Sequence, residues 1–210
     1  TSDSLFDLKH LPKSVAIIGL GFIGLEMGQA LHRLGVKVTG FDASNTISGI
    51  SDPAVNAVAI ETIRREFPLH LGHQVEVTPG ETEVLVKAGK LEVTVDKIFV
   101  AVGRAPNIPK GLAEMTKTDG RGIPLFSAHT LQVGNLPVYI AGDANGMRML
   151  LQDAANEGLL AGRNAAAASS IEPTYQLQHK TFMAIAFTDP NIAQVGASLS
   201  EIPSLSLIHI

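Results

Sequence analysis

The stretch AIIGLGFIGLEMG at positions 16–28 constrains this chain more than any other. An apolar, partly β-branched run over 14–18 stops at Gly19, and from Ile23 to Leu34 apolar residues recur at helical spacing until Gly35. That is a strand, a turn and a helix. Residues 36–41 read as a second strand, so the first forty-odd residues form a βαβ unit, which requires a parallel sheet. A bare Gly-x-Gly-x-x-Gly recurs by chance, but here it follows a strand, opens a helix and is followed by Asp42 at the end of the next strand. Each glycine has a physical task. Gly19 permits the tight turn, Gly21 lets backbone approach a pyrophosphate, and Gly24 lets the helix pack close to the sheet. The free N–H groups and positive end of the helix then favour an anion. Gly28, one turn on, extends the small-residue face. A purely structural βα turn would explain neither the three spaced glycines nor the acid.

Asp42 lies 21 residues after Gly21, where a carboxylate accepts hydrogen bonds from both hydroxyls of an adenosine ribose. It repels a 2′-phosphate, and residues 43–46 contain no Arg or Lys to compensate, so NAD(H) is favoured over NADP(H). The competing reading is a solvated loop aspartate or a helix cap.

The rest of the chain bounds the function. Its 210 residues, 45% hydrophobic, suit one large domain or two small ones. A net charge of -4 without a basic run excludes the footprint of a nucleic-acid binder. No apolar run reaches the roughly 18 residues of a spanning helix, the polar start TSDS is no signal peptide, and the expected setting is cytoplasmic. With no cysteine, the chain holds no disulfide, thiolate zinc site or Cys nucleophile. A helix is predicted over 53–67, with Asp52 as cap, Pro53 in the first turn and an apolar stripe at Val55, Val58, Ala59 and Ile63. Residues 75–78, 83–87 and 91–95 alternate apolar and polar, a small antiparallel meander. Strands are predicted at 98–102 and 138–141, a Gly- and Pro-containing boundary at 105–124, a long Ala-rich helix at 149–168, and a strand-like run at 181–187. His70 and His73 lack carboxylate or cysteine partners at ligand spacing, so no metal is expected. There is no Gly-x-Ser-x-Gly elbow, Walker-type loop or internal repeat.

Four blocks, LPKSVAIIGLGFIGLEMGQALHRLGVKVTGFD, DKIFVAVGRAPNI, VYIAGDANG and FTDPNIAQVG, occur in the order found in the pyridine nucleotide-disulfide oxidoreductases. The chain resembles that family over 11–201, most closely its dihydrolipoamide dehydrogenase branch. Glutathione reductase, mercuric reductase and soluble transhydrogenase share the blocks, and Asp42 disfavours the NADPH-using members. The resemblance implies an α/β fold: a Rossmann-like βαβ dinucleotide-binding domain, with a parallel sheet and small antiparallel meander, followed by a partial FAD-domain segment. Its boundaries are an NAD-binding domain at 1–104, a second flavin-domain segment at 105–172, the start of an interface domain at 173–203, and an appended tail at 204–210.

For NAD, the resemblance implies Gly19, Gly21, Phe22, Ile23, Gly24, Glu26, Asp42, Gly103 and Arg104. In it, Phe22 matches a gate shielding the flavin, Glu26 the glutamate that meets the nicotinamide carboxamide, and Gly103 and Arg104 the edge of the NAD cleft. For FAD it implies Gly142 and Asp143, the latter on the ribityl chain, and the helix start Met149, Leu150 and Leu151, whose N–H groups face the flavin O2 edge. Gln152 departs from the family's frequent histidine. The family relays electrons between NAD(H), FAD and a cysteine pair, and its members form homodimers, some within 2-oxoacid dehydrogenase complexes. The family's first flavin-binding unit, cysteine pair and His/Glu dyad have no match here, so the expectation is an inactive internal fragment, without a catalytic residue of its own, that binds dinucleotide and holds FAD poorly. Two further readings stay open: a stand-alone dinucleotide-binding module, and an NAD-linked flavoprotein without the disulfide.

Overall fold

The computed structural model describes residues 2–168, 174–178 and 180–202, and contacts divide them into two units. One joins the residues up to Gly103 with those from Thr181 onward, and the other spans Arg104–Lys180. The tail expected at 204–210 lies outside the described residues.

In the first unit a short helix α1 (Ser2–Leu5) precedes β1 (Ser14–Ile18), α2 (Phe22–Arg33), β2 (Lys37–Asp42), α3 (Pro53–Arg64), β3 (Leu69–Leu71), the strands β4 (Val75–Pro79), β5 (Val84–Ala88) and β6 (Leu91–Val95), and β7 (Lys97–Val100). The parallel sheet has the order β3-β2-β1-β7, and the meander is a separate antiparallel sheet, β4-β5-β6. Connections run outward from β1 to β2 to β3, then return across the meander to β7 on the other side of β1. The strand order therefore reverses beside β1, the place where open α/β sheets bind ligands at their carboxyl ends.

Both faces of the sheet are covered, which suits the near-continuous apolar runs in its strands. Val15, Ile17, Val38, Leu69 and Phe99 pack with Leu25, Leu31 and Ile63 of α2 and α3. Ala16 and Phe41, pointing the other way, pack with Val86, Ala88 and Val95 of the meander. Helix α3 starts as its sequence requires, Pro53 following an Asp52 carboxylate that accepts from the Ala54 and Val55 amides. It is shorter than predicted, because beyond Arg64 the chain turns to bring Phe67 into the core at 1% exposure. Glycines make that room: a Cβ at Gly28 would lie 3.0 Å from the Phe67 ring. The predicted stripe is only half right. Ile63 is buried, whereas Val55 and Val58 are 53% and 65% exposed and line an apolar groove of about 500 Å³ with Ile192 and Ala193. After the second unit, β8 (Met183–Ala186) and β9 (Ile192–Val195) form an antiparallel hairpin.

In the second unit α4 (Lys110–Met115), through Leu112, and a 3₁₀ turn at Gly142–Asn145, through Ala144, pack on Ile123, Val133 and Ile140, and α5 (Leu151–Ala167) lies against the 3₁₀ turn. Residues 138–141, predicted as a strand, make no ladder among the described residues. The Val133 amide bonds the Val138 carbonyl and the Ile140 amide the Leu131 carbonyl, and Gln132 forms an isolated bridge to Tyr139. The pairing stops there because the facing segment turns at Leu131, whose φ is 65°, and at Gly134, whose φ is 50°.

Candidate dinucleotide site

The glycine turn sits between the ends of two strands. The Gly19 amide donates to the Phe41 carbonyl of β2 at 2.8 Å, and the Ala101 amide beyond β7 donates to the Ile18 carbonyl at 2.7 Å. Gly19 has a φ of 95°, and a Cβ there would stand 2.5 Å from the Ala101 carbonyl oxygen. A Cβ at Gly24 would fall on the Gly19 carbonyl oxygen. Both positions are closed to any side chain. Gly21 is the opposite case: it is extended, exposed and has no atom within 4 Å of where a Cβ would be.

Gly21 is the N-cap of α2, and no side chain caps that end or places an acid in its first turn. The first-turn amides therefore face the open space above Gly21 with the positive end of a 12-residue helix behind them. Phe22 and Ile23 open this turn, both half-buried, and Ile23 packs on the core. An uncapped helix end beneath open space fits a pyrophosphate.

Asp42 closes the turn from β2. Its Oδ2 accepts from the Leu20 amide at 2.6 Å, and its Oδ1 from the Ser44 amide at 2.8 Å. The carboxylate thus latches the glycine turn. An ionised carboxylate has about four acceptor positions, so each oxygen keeps one open.

Glu26, one turn into α2, accepts from the Phe187 amide through Oε1 at 2.9 Å. Gly103, with φ 115°, is open around its Cβ direction. Arg104 is brought together with residues implied for the flavin: it pairs with Asp143 at 2.6 Å and donates to the Met149 carbonyl at 2.9 Å. In the same unit, Gly142 has φ 66°, and Leu150 is the N-cap of α5 with no side-chain cap. Met149 and Leu150 are half-buried, while Leu151 is 86% exposed. The uncapped start of α5 fits a group that accepts hydrogen bonds, as a flavin edge does.

Two side chains at these places escape a reading of the sequence. Glu157, 1% exposed, accepts from the Gly142 amide at 2.7 Å and from Asn145 Nδ2 at 2.6 Å through one oxygen, Oε2. It thereby fixes the turn that presents Asp143. A signal existed, since the buried face of α5 is largely polar: Asp153, Glu157, Leu160 and Asn164 recur at helical spacing. The second is Gln29, 4% exposed, which bonds both main-chain groups of Asp189.

A parallel sheet with a glycine turn at its switch point and an antiparallel meander defines a Rossmann-like α/β chain. The family model described as pyridine nucleotide-disulphide oxidoreductase matches residues 1–158, and the chain belongs to that family. Membership implies binding of FAD and NAD(P). Dihydrolipoyl dehydrogenase of Buchnera aphidicola subsp. Acyrthosiphon pisum is 31% identical over 95% of this chain and 43% of its own length. Mercuric reductase of Staphylococcus aureus is 30% identical over 93% of this chain and 36% of its own length. LpdA of Mycobacterium tuberculosis superposes with a TM-score of 0.79 at 26% identity, over 93% of this chain and 43% of that one. The HOCl-induced flavoprotein disulfide reductase RclA of Escherichia coli, at 22% identity and a TM-score of 0.81 over 95% of this chain and 45% of that one, shares the fold. The chain thus spans less than half the length of these relatives. No helix among the described residues is long and apolar enough to cross a membrane.

Proposed function

We propose that this chain is the NAD(H)-binding portion of a flavin-dependent disulfide oxidoreductase of the dihydrolipoamide dehydrogenase type, in which dihydrolipoamide reduces a disulfide, then flavin, then NAD. The observation that carries the reading is the glycine turn: two glycines that admit no side chain flank a third that opens on an uncapped helix end, with Asp42 latched to the same turn. The 31% identity to a dihydrolipoyl dehydrogenase supports the branch. A mercuric reductase stands almost level at 30%, so that branch is the second reading.

Here the α2 first-turn amides hold the pyrophosphate, Asp42 takes the adenosine ribose hydroxyls, and Glu26 meets the carboxamide through Oε2, which has no partner among the described residues. Phe22 opens the helix as the gate, and Gly103 lines the cleft. In the second unit the Gly142 turn presents Asp143 toward the ribityl chain, and the α5 amides near Met149, Leu150 and Leu151 face the flavin. When bound, the two cofactors supply hydride chemistry and a two-electron relay. The chain has no cysteine, so dithiol exchange belongs to other residues of the parent protein.

Titration of NADH fluorescence with the chain tests this. Gly21→Ala, with open space around its Cβ, should keep the melting temperature and weaken NADH binding by about tenfold or more, because the methyl group occupies the place of a phosphate. Unchanged NADH affinity in Gly21→Ala would sink the cradle.

A further inference from the structure

Helix α2 does more than point its N-terminus at the glycine turn. Along one stripe it receives the segment that follows β8. Glu26 Oε1 accepts from the Phe187 amide at 2.9 Å. Gln29 Oε1 accepts from the Asp189 amide at 2.7 Å, and Gln29 Nε2 donates to the Asp189 carbonyl at 3.0 Å. A single buried side chain thus pairs both main-chain groups of one residue, as a neighbouring strand would.

Gln29 is itself held. Its Nε2 also donates to Glu66 Oε1 at 2.7 Å, and Glu66 takes the Arg33 guanidinium through both oxygens, from Nε at 3.1 Å and Nη2 at 2.8 Å. Arg33 Nη2 reaches Asp189 Oδ2 at 3.1 Å. Gln29 and Arg33 are one turn apart on α2, and Glu66 follows α3. Arg33 of α2 and Glu66 in the turn after α3 therefore fix the amide plane of Gln29, which pairs with the backbone of Asp189. Phe187 lies two residues earlier in the same connection from β8 to β9, so its N–H meets Glu26 on the stripe of α2 where Asp189 meets Gln29.

We infer that Gln29 is a positioning residue for the nicotinamide end of the site: by seating Asp189 it aims the Phe187 amide at one oxygen of Glu26 and leaves the other turned toward the carboxamide. The inference rests on the dinucleotide reading above. It predicts a specific division of labour. The pyrophosphate and adenosine end depends on the glycine turn and Asp42, and the nicotinamide end depends on the clamp.

The test compares NADH with ADP-ribose, which shares every group except the nicotinamide, by calorimetry on the full chain. In Gln29→Leu, NADH affinity should fall by about tenfold while ADP-ribose affinity stays within about twofold, the size expected when one charged hydrogen bond is misplaced. Equal losses for both ligands, or no loss for either, overturn the inference. Gln29→Glu, which keeps the acceptor for the Asp189 amide, should recover part of the NADH affinity. Should the variants fail to fold, hydrogen exchange on the wild-type chain decides: NADH should protect the Phe187 and Asp189 amides more than ADP-ribose does, and equal protection contradicts the role. A wild-type chain that binds neither ligand removes the dinucleotide reading, and this inference falls with it. One that binds ADP-ribose but fails the Gln29 comparison removes the inference alone.

Discussion

Gly24 and Gly21 are three residues apart in one motif, yet the structure gives them different reasons to be glycine. At Gly24 the obstacle is a backbone carbonyl of the same turn, which cannot swing aside as a side chain can. Gly24→Ala should therefore destabilise the first unit by roughly 3 kcal/mol or more, as overpacking against fixed backbone does. Both tyrosines, Tyr139 and Tyr175, lie in the other unit, so urea unfolding followed by far-UV circular dichroism is the measurement that checks it. A wild-type midpoint would contradict the packing described here. The conformational demands on Gly19, Gly21 and Gly24 were legible in the sequence because their spacing is local and each position has a single stereochemical reason to be glycine. Glu157 and Gln29 were not, because their partners are set by tertiary contact: Gln29 meets Asp189 across 160 positions. The latch of Asp42 on the Leu20 amide was equally hidden, since a spacing rule assigns that carboxylate to a ligand and is silent about the turn.

Between elements, the pairing of Arg33 with Glu66 ties α2 to the end of α3. The Arg33 guanidinium, helped by the Gln29 amide and opposed by partial burial, holds the Glu66 carboxyl below its ordinary value of 4.5. A carboxyl lowered in this way stabilises the fold at pH above its unfolded value, and that contribution disappears as pH falls through the folded value. Wild-type stability should thus decline below pH 4.5, and Glu66→Gln, already without the charge, should lose less over the same interval. Urea midpoints at pH 6 and about pH 3.5 separate the two, and parallel losses would show that other carboxyls carry the acid sensitivity. Helices α2 and α3 and most strands of this unit were readable from apolar period and caps. Helix α1 and strand β9 were not, nor were three further features. A strand as short as Leu69–Leu71 gives too few residues for a period. The end of α3 was set by the demand of Phe67 for the core. Val55 and Val58 satisfy the helical period but lie on the face that lines the groove.

At the scale of the whole molecule, family membership and the α/β fold follow from the order of four motifs and from the sheet, and both were readable in the sequence. The lack of a ladder at residues 138–141 was not. An apolar run predicts burial, but a strand needs a partner of matching length, and Leu131 and Gly134 turn the facing segment away. The glycine turn and Asp42 are proposed to make an NAD(H) site together. Calorimetric titration of the purified chain with NADH, repeated with NADPH at moderate salt, tests it most directly. NADH is expected to bind with micromolar to low-millimolar affinity and NADPH at least about tenfold more weakly, because Asp42 repels a 2′-phosphate and residues 43–46 offer no cation to offset it. Binding of NADPH as tight as NADH, or no binding of either, would rule out an NAD(H) site at this turn.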